Sequence, residues 1–442
     1  MVAMAGMFLT RDKTFMSFSV ATILVVGVAM IGSLTVLPAI LSKLGDRVEK
    51  GRIPFLGRLR RQGGENRVWA KVLTPALEHP VVAAVASTAV LVVLAVPVFS
   101  LHTAQSGLDS LPRNLPTVET IDRLQTSFTG EANPSLVAVR TQTGTPAFTE
   151  AVRSLKAKVA TTAGMHGPVN VDVNSSQTAA RIEIPLDGNG VDAASTRALL
   201  RLRGDVLPAT IGKLPGATWA VTGGTAASYD TNQAMKQSAP LVFGFVLLFA
   251  FGLLLVAFRS LVIAAKAVVL NLLSVGAAYG VVVAVFQYGW GENLLNFKSN
   301  GGIAQWLPIF MFVILFGLSM DYHVFILSRV REAFDRGLST EEAVAHGIRT
   351  TAGTVTSAAV VMVGVFGIFA TLPIVDLKEM GIGLAAAVLI DATIVLAMLL
   401  PAAMTLLGDR NWYLPSWLSW LPRLEHEFAP AAPAAAPIPA AA

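Results

Sequence analysis

Long apolar runs separated by short polar stretches are the main pattern along this chain. A membrane-crossing α-helix needs about 20 predominantly apolar residues. Seven segments meet this requirement, near residues 15–41, 80–100, 239–258, 261–286, 306–328, 353–374 and 380–406. A shorter apolar run over residues 1–9 adds a partial span at the start. The pattern therefore predicts a polytopic α-helical membrane protein with about seven spans plus a partial one.

Residues 101–237, between the second and third spans, have the mixed composition of a folded globular domain. The pattern of apolar positions predicts strands and helices in the order strand 135–141, helix 147–162, strands 168–174 and 178–186, helix 192–206 and strand 217–222. This βαββαβ order predicts an α/β ferredoxin-like domain. Gly223 and Gly224 precede the helix that leads into the third span, where we expect a hinge or a plain turn.

Lys and Arg residues concentrate in alternate loops, which predicts the orientation of the chain. Loop 42–79 is strongly basic, and Arg also occurs at 259, in loop 329–352 and after the last span. Because short cytoplasmic loops are enriched in Lys and Arg, we assign all four regions and the C-terminus to the cytoplasm. The 101–237 domain is then extracytoplasmic, and the protein is a multi-pass protein of the plasma membrane.

The composition supports a membrane protein and excludes several classes of site. The chain has 54% hydrophobic and 14% charged residues, with a mean hydropathy of +0.62. It contains no cysteine, and its six histidines do not have the spacing of metal ligands. The sequence also lacks a GxxxxGK[ST] phosphate loop. We therefore predict no metal, no cofactor, no nucleic-acid partner and no ATP hydrolysis through such a loop.

An internal repeat is visible at the ends of two spans. LPAILSKLGDR (37–47) and LPAAMTLLGDR (400–410) match at Leu, Pro, Ala, Leu, Gly, Asp and Arg, and internal repeats are common in secondary transporters. Counting back from the second copy, we expect one complete repeat preceded by the last spans of a truncated first one. A signal peptide is the rival interpretation of the start, although no basic region precedes MVAMAGMFL.

These features divide the chain into successive parts. The expected parts are the last spans of the first repeat (1–44), a basic cytoplasmic linker (45–79), a span (80–100), an extracytoplasmic porter-like domain (101–237), a five-span bundle (238–408) and a cytoplasmic Ala/Pro-rich tail (409–442). The end of that tail, APAAPAAAPIPAAA, has little apolar surface to bury, so we expect it to be disordered.

Four segments carry a resemblance to a known family. They are FRSLVIAAKAVVLNLLSVGAAYG (258–280), FGLSMDYHVFILSRVRE (316–332), IDATIVLAMLLPAAM (390–404) and GDRNWYLP (408–415). With the order of spans and domain, they make the chain resemble the MMPL branch of the resistance-nodulation-division superfamily. The resemblance implies a secondary active transporter rather than an enzyme, which exports lipids, glycolipids, siderophores or drug-like molecules using proton influx. The partners it implies are protons, a hydrophobic or amphiphilic small molecule, membrane lipids, and a second half-transporter or another copy of the chain.

The resemblance also assigns a proton relay to an Asp–Tyr pair, which is Asp321 and Tyr322 here. The family commonly has an acidic residue at the position of His323 and a basic residue at that of Leu396. This chain departs from the pattern at both positions, so the resemblance does not identify the exact relay partners.

The residues themselves point to the same span, because an ionisable side chain inside a membrane is a functional candidate. Asp321 lies eight residues before Arg329, or about 12 Å along a helix. Burial disfavours the ionised form of a carboxyl and could make Asp321 a proton site. Tyr322 and His323 lie about 100° and 200° around the helix from Asp321. We therefore treat them as relay candidates that face different neighbours.

A second candidate carboxyl is Asp391, which could couple to Asp321 or pair with Lys266. Gly317, one turn before Asp321, would let a neighbouring helix approach. Polar residues on neighbouring spans are expected to support the carboxyls, namely Ser319, Asn271, Ser274, Thr350, Thr354 and Ser357. For each candidate a structural role remains open. The aspartates and small polar residues could form interhelical hydrogen bonds, His323 could pack as a neutral ring, and Tyr322 could have a satisfied hydroxyl.

Two classes of function fit these sequence features. The first is proton-motive-force-driven export of a lipid, glycolipid or other hydrophobic or amphiphilic small molecule. The alternative is a non-transporting membrane module that senses lipid or scaffolds a complex. The related protein-export motor branch of the superfamily fits the 258–415 motifs less well. No residue of the 101–237 domain identifies a substrate contact.

Overall fold

A computed structural model of the chain describes residues 2–45, 67–104, 115–116, 118–120, 123, 134–188, 190 and 192–422. Within these residues, seven helices are long and apolar enough to cross a membrane. They are Lys13–Leu44, Pro80–Ser100, Gly224–Phe258, Leu261–Gln287, Leu307–Asp335, Thr340–Phe369 and Val375–Trp412. This confirms the predicted number of full spans, so the chain is a multi-pass membrane protein. Most of the basic loop 42–79 and the Ala/Pro tail from residue 423 lie outside the described residues.

The first span lies at the periphery of the helical bundle. It consists of α1 (Lys13–Leu34) and α2 (Val36–Leu44), preceded by a short helix at Val2–Ala5. The Asp12 side chain caps α1 by accepting a hydrogen bond from the Thr14 N–H at 2.8 Å. Only Phe15 and Ser19 of α1 are buried. Because most of its other side chains are apolar and exposed, α1 has the surface expected of a lipid-facing helix.

A short strand follows the second span and leads the chain into the α/β unit. Helix α3 (Arg67–Glu78) is followed by α4 (Pro80–Ala95), which starts with proline in its first turn and continues as 3₁₀-helix to Ser100. Proline suits this position because the first turn does not need its missing N–H. Strand β1 (Thr103–Ala104) follows.

The α/β unit has a four-stranded antiparallel sheet and two helices. Its elements follow the chain order β2 (Ser135–Arg140), α5 (Pro146–Thr161), β3 (Asn170–Val173), β4 (Ala179–Ile184), α6 (Ala193–Arg201) and β5 (Thr218–Thr222). The strands lie in the order β3-β4-β2-β5. Val137 of β2 is opposite Ile182 of β4 and Val221 of β5. These three valine and isoleucine side chains are buried with Leu155 and Leu199 from the helices in one core.

The remaining five spans form the bundle. They contain α7 (Gly224–Phe258), α8 (Leu261–Val282), α9 (Leu307–Asp335), α10 (Thr340–Phe369), α11 (Val375–Ile390) and α12 (Leu400–Leu407), with strand β6 (Ile303–Ala304) before α9. Two π-helical segments continue these helices, Val283–Gln287 after α8 and Asp391–Leu399 between α11 and α12. Helix α9 packs against α7, α8, α10 and α11, and α8 also packs against α4. The centre of the bundle therefore lies between α8, α9 and α11.

Several helices differ in length from the predicted apolar spans. Helix α7 begins at Gly224, well before the predicted start at 239. Helix α10 begins at Thr340, where Ser339 and Glu342 form a capping box, and ends at Phe369 rather than 374. Pro373 explains the early end, since the residue before a proline avoids the helical conformation. The helices therefore continue through polar residues beyond the apolar spans, which hydropathy alone does not detect.

Gly223 forms a tight turn between β5 and α7. Its φ is 109°, a conformation that favours glycine, and a Cβ atom there would lie 3.0 Å from the Pro134 carbonyl oxygen. The α/β unit therefore joins α7 without an intervening loop. Of the two expectations for this position, a turn is the one observed.

The two copies of the sequence repeat end in the same backbone geometry. Gly45 ends α2 with φ 48° and ψ −135°, and Gly408 ends α12 with φ 51° and ψ −134°. In both copies the helix also departs from regular α-helical geometry just before the Leu-Pro pair, at Thr35 and along the Asp391–Leu399 segment. The sequence match thus corresponds to a local structural match.

Candidate functional site

Asp391 lies at the centre of the bundle, where α11 changes into the π-helical segment. Its side chain is only 5% exposed, and its Oδ2 accepts a hydrogen bond from the hydroxyl of Ser319 on α9. Ser319 is itself buried. π-Helical segments are rare and often occur at functional sites. The carboxyl is therefore tied to a different span by this hydrogen bond.

His323 lies one turn after Ser319 on α9 and is fully buried. Its Nδ1 lies 3.0 Å from the Ser319 carbonyl oxygen. Because a carbonyl oxygen can only accept, Nδ1 carries the proton, and in the neutral ring Nε2 is an acceptor. His323 is close enough to Asp391 for their charges to interact. Ser319, His323 and Asp391 therefore form one group, called here the buried cluster.

Helix α8 contributes Asn271 and Ser274 to the same region. Both are buried, and a spacing of three residues puts them on one face of the helix. Ser274 lies beside the Asp391 carboxyl. Among the described residues, no hydrogen-bond partner is found for the Asn271 amide atoms, the Ser274 hydroxyl, His323 Nε2 or Asp391 Oδ1. Since buried polar groups are nearly always paired, His323 Nε2 and Asp391 Oδ1 leave the buried cluster with unused capacity to bind a proton or a small polar ligand.

Asp321 does not belong to the buried cluster. Its side chain is exposed on the surface of the chain, so the described residues do not enclose it, and its role as a proton site stays a prediction. The physical reason for the exposure is the rotation of α9, which turns His323 and Ser319 inward and Asp321 outward. Gly317 lies one turn earlier and packs near Ala3. A Cβ atom added at Gly317 would lie 3.6 Å from the Ala3 Cβ.

Tyr322 is close enough to both carboxyls for its hydroxyl to interact with the charges of Asp321 and Asp391. It is 8% exposed, and its hydroxyl donates to the Met362 sulfur of α10 at 3.5 Å. Tyr322 and His323 thus face different neighbours, as their angular positions predicted. Leu396, in the π-helical segment, is fully buried and apolar.

Three polar residues of α10 are exposed and do not belong to the buried cluster. Thr350, Thr354 and Ser357 are all exposed. The Ser357 hydroxyl donates to the carbonyl oxygen of Gly353 in its own helix at 2.8 Å. Such local bonds satisfy a hydroxyl without a neighbouring helix. The supporting residues that the structure does bring into the region of Asp391 are Ser319, Asn271 and Ser274.

The structure shows neither of the two partners considered for Asp391, which were Lys266 and Asp321. Lys266 donates to the side-chain oxygen of Asn411 at 2.8 Å, so its hydrogen bond goes to the end of the last span. Asp321 is on the outside of α9. The Asp391 carboxyl therefore pairs with neither, and its neighbours are Ser319, Ser274 and His323.

Sequence reasoning missed one buried carboxyl, that of Glu379 on α11. It is 4% exposed, and its Oε2 accepts from the Ala304 N–H at 2.8 Å. An acidic residue at the start of the apolar sequence 380–406 was the available signal. The π-helical segment that begins at Asp391 had no sequence signal, because π-helices have no characteristic pattern of apolar positions.

Comparison with known proteins identifies relatives over nearly the whole chain. The MMPL family matches residues 109–423. The chain is 35% identical to the mycolic acid-containing lipids exporter MmpL11 of Mycolicibacterium smegmatis, with 96% of this chain and 45% of that protein covered. It is 32% identical to the heme uptake protein MmpL11 of Mycobacterium tuberculosis, with 94% and 43% covered. It is 29% identical to the trehalose monomycolate exporter MmpL3 of Mycobacterium tuberculosis, with 93% and 46% covered.

The chain thus spans about half the length of the curated relatives it matches. The family match covers the α/β unit, all five spans of the bundle and the buried cluster. The chain therefore belongs to the MMPL family, within the resistance-nodulation-division type of membrane transport proteins.

Proposed function

We propose that this chain forms half of a secondary active transporter that exports a lipid or another amphiphilic small molecule, driven by proton influx. The observation that carries the proposal is the buried cluster, in which Asp391, His323 and Ser319 meet inside the bundle. A lone carboxylate is costly at this depth in a membrane. When such a site binds a proton the carboxyl becomes neutral, which removes the cost of burying its charge.

In this proposal Asp391 and His323 share the transported proton. The Ser319 carbonyl holds His323 Nδ1 in its protonated form, so Nε2 and Asp391 Oδ1 are both acceptors. One proton placed between two acceptors converts them into a donor–acceptor pair. The π-helical segment that begins at Asp391 supports the assignment, because it marks a position where the helix departs from its most stable geometry.

Asp321 and Tyr322 form the second part of the proposed relay. Tyr322 interacts electrostatically with both carboxyls, so it is the residue through which a change at Asp391 would reach Asp321. Asp321 is exposed on this chain, and the curated relatives are about twice as long. We therefore infer that a second half-transporter, or another copy of the chain, covers Asp321 in the working assembly.

We also infer that the α/β unit is an extracytoplasmic ferredoxin-like domain. Its strand order β3-β4-β2-β5 and its two helices match the split-βαβ arrangement. The excess of Lys and Arg in the opposite loops supports the orientation, with the C-terminus in the cytoplasm. Helix α7 runs from this domain into the membrane without a break, so a change in bundle packing would move the domain.

The proposed cargo class follows from the relatives. Two of them are named as exporters of mycolic acid-containing lipids and of trehalose monomycolate, and one as a heme uptake protein. These compounds have large hydrophobic portions. The energy source is adequate in scale, since one charge that crosses about 100 mV releases about 2.3 kcal/mol.

The proposal is tested with purified protein in lipid vesicles under an imposed pH gradient. We expect movement of a fluorescent glycolipid that depends on the gradient, and expect Asp391→Asn to abolish this dependence. An amide does not take up and release a proton, so the rate under the gradient should fall to the rate measured without one. Thr354→Val, an exposed position on α10, is the control and should retain the native rate.

Two outcomes would reject the proposal. Gradient-driven transport that continues unchanged in Asp391→Asn would exclude the buried cluster as the proton site. An assembled native protein that moves no lipid under any gradient would instead favour the alternative function, a membrane module that senses lipid or scaffolds a complex.

A further inference from the structure

A two-strand junction joins the start of the α/β unit to the bundle. Strand β1 pairs with β6 in parallel, with Thr103 opposite Ile303 and Ala104 opposite Ala304. The Ile303 N–H donates to the His102 carbonyl oxygen at 2.9 Å, and the Gln305 N–H donates to that of Ala104 at 3.1 Å. This pairing, called here the β1–β6 junction, ties the end of the second span to the start of α9.

The strands of the junction approach each other too closely for most side chains. A Cβ atom at Gly302 would lie 2.9 Å from the Ala104 Cβ and 3.0 Å from its backbone nitrogen. Real Cβ atoms do not approach neighbours this closely without displacement. The junction therefore requires a residue without a side chain at position 302.

The Glu379 carboxyl holds the junction from the side of the bundle. Glu379 lies near the start of α11, is 4% exposed, and accepts the Ala304 N–H at 2.8 Å. Ala304 is the residue of β6 that lies opposite Ala104. The Glu379 carboxyl thus binds a backbone N–H of strand β6. This contact does not depend on which side chain occupies position 304.

On its other side, the junction reaches the α/β unit through side chains. Thr103 of β1 donates to the side-chain oxygen of Asn232 on α7 at 3.1 Å. Asp230, two residues earlier, binds both Arg203 guanidinium nitrogens at 2.6 and 2.8 Å. This hydrogen bond raises the pKa of Arg203, so the pair stays charged near neutral pH. Hydrogen bonds therefore connect Glu379 in the bundle to the helical layer of the α/β unit.

Other ionisable groups lie near Glu379 and bear on any effect of pH. Asp376 and Lys298 line the same small cavity beside the carboxyl. Lys378 donates to the carbonyl oxygens of Leu295 and Asn296, and Glu292 accepts from the Ser299 N–H at 2.7 Å. His102 adjoins the junction, with Nδ1 at 2.6 Å from the Ser100 carbonyl oxygen. Asp376 accepts from the Trp306 indole N–H at 3.0 Å, just after β6, whereas Glu379 accepts from the Ala304 N–H within the strand.

We propose that Glu379 is a second proton-binding site of the bundle, and that the proton it takes weakens the β1–β6 junction. A charged hydrogen bond is roughly twice as strong as a neutral one, so protonation of the carboxylate reduces its hold on Ala304. The coupling is reciprocal: a movement that pulls β6 away also favours uptake of the proton. The role of this site in the cell rests on the proposed transport. In that function, the junction would couple proton binding at Glu379 to the orientation of the α/β unit.

The experiment follows movement between α7 and the segment before β6, with no gradient and no cargo. The chain contains no cysteine, so spin labels can be attached at Ala234→Cys on α7 and at Leu294→Cys in the short helix Glu292–Leu295 before β6. Both positions are exposed, Leu294 by 88%. Distances between the labels are recorded in lipid nanodiscs at about pH 5 and about pH 8. We expect a longer or broader distance distribution at the lower pH.

Substitutions assign this response to Glu379. Glu379→Gln is neutral at every pH, so it should show the low-pH distribution throughout, whereas Glu379→Asp should restore a pH response. Gly302→Ala should lengthen the distance at both pH values and shows that the labels detect an opened junction. Asp376→Asn and His102→Gln remove the nearest other carboxyl and the nearest imidazole, and both should retain the response.

The inference fails if the native distances do not change with pH, or if Glu379→Gln responds as the native protein does. It also fails if His102→Gln or Asp376→Asn alone removes the response. None of these results bears on export, since the vesicle assay with Asp391→Asn tests that separately. A pH-responsive junction in a protein that exports nothing would leave this inference standing and reject the proposed function.

Discussion

Two aspartates of the bundle, Asp391 and Asp321, have the same side chain and very different surroundings. Asp391 is 5% exposed and accepts a hydrogen bond from Ser319. Asp321 lies on the outside of α9 and is exposed. Its neighbour two positions on, His323, faces the same interior as Asp391. Helix α9 thus presents two residues of the buried cluster on one face and an exposed carboxyl on another.

The difference shows which site this chain completes alone. The buried cluster draws on α9 and the π-helical segment, and Ser274 of α8 lies beside it. Asp321 has no equivalent enclosure within the described residues, although a carboxyl in a membrane is stable only beside a partner, protein or water. Each of the following experiments tests this contrast.

The largest expected difference is in chemical accessibility. A hydrophobic carbodiimide reacts with a protonated carboxyl that it can reach from the lipid. In the isolated chain we expect it to label Asp321 and to leave Asp391 unmodified, because only the former is exposed. Peptide mass spectrometry locates the label, and Asp321→Asn is the control that should lose it. Labelling of Asp391 would show that the cluster is open to lipid.

Loss of the Ser319 hydroxyl should destabilise the interior site. Ser319→Ala leaves Asp391 Oδ2 without its donor, which should lower the free energy of unfolding by about 1–2 kcal/mol. Ser357→Ala is a matched control on α10, where the hydroxyl bonds its own backbone and is exposed. Unfolding in mixed detergent micelles measures both. Equal losses in the two variants would remove the distinction between the faces.

A smaller effect is expected at Tyr322, between the two regions. Tyr322→Phe removes one weak hydrogen bond, that to the Met362 sulfur at 3.5 Å. The free energy of unfolding should fall by about 0.5 kcal/mol or less, since such neutral bonds contribute little. If the hydroxyl relays a proton, the same variant should lose gradient-driven transport. A stable variant with native transport would confine the relay to the buried cluster.

The smallest effect on stability is expected at Asp321 itself. Asp321→Asn in the isolated chain should change the free energy of unfolding by less than about 0.5 kcal/mol, because exposed substitutions rarely do more. In an assembly with its other half the same change should matter more. A large loss in the isolated chain would mean that Asp321 already has a partner there.

Part of this site was accessible from the sequence. Asp321, Tyr322, His323 and Asp391 are conspicuous because ionisable residues are rare in apolar spans. The supporting residues were harder, since Thr354 and Ser357 share the helical spacing of Asn271 and Ser274 but face outward. A hydroxyl can satisfy itself on its own helix, so polarity within a span does not reveal which face is buried. Glu379 was missed because its partner is a backbone N–H, which no side-chain pattern encodes.

The sequence by itself determined the number of spans, the order of strands and helices in the α/β unit, and the set of ionisable residues within the bundle. These follow from hydropathy and periodicity, which depend on neighbouring residues. The tertiary structure decided which carboxyl is enclosed, because helical periodicity sets the angles between residues but not the rotation of a helix against its neighbours. Ser319 and Asp391 are 72 residues apart, and only the packing of α9 against α11 brings them together.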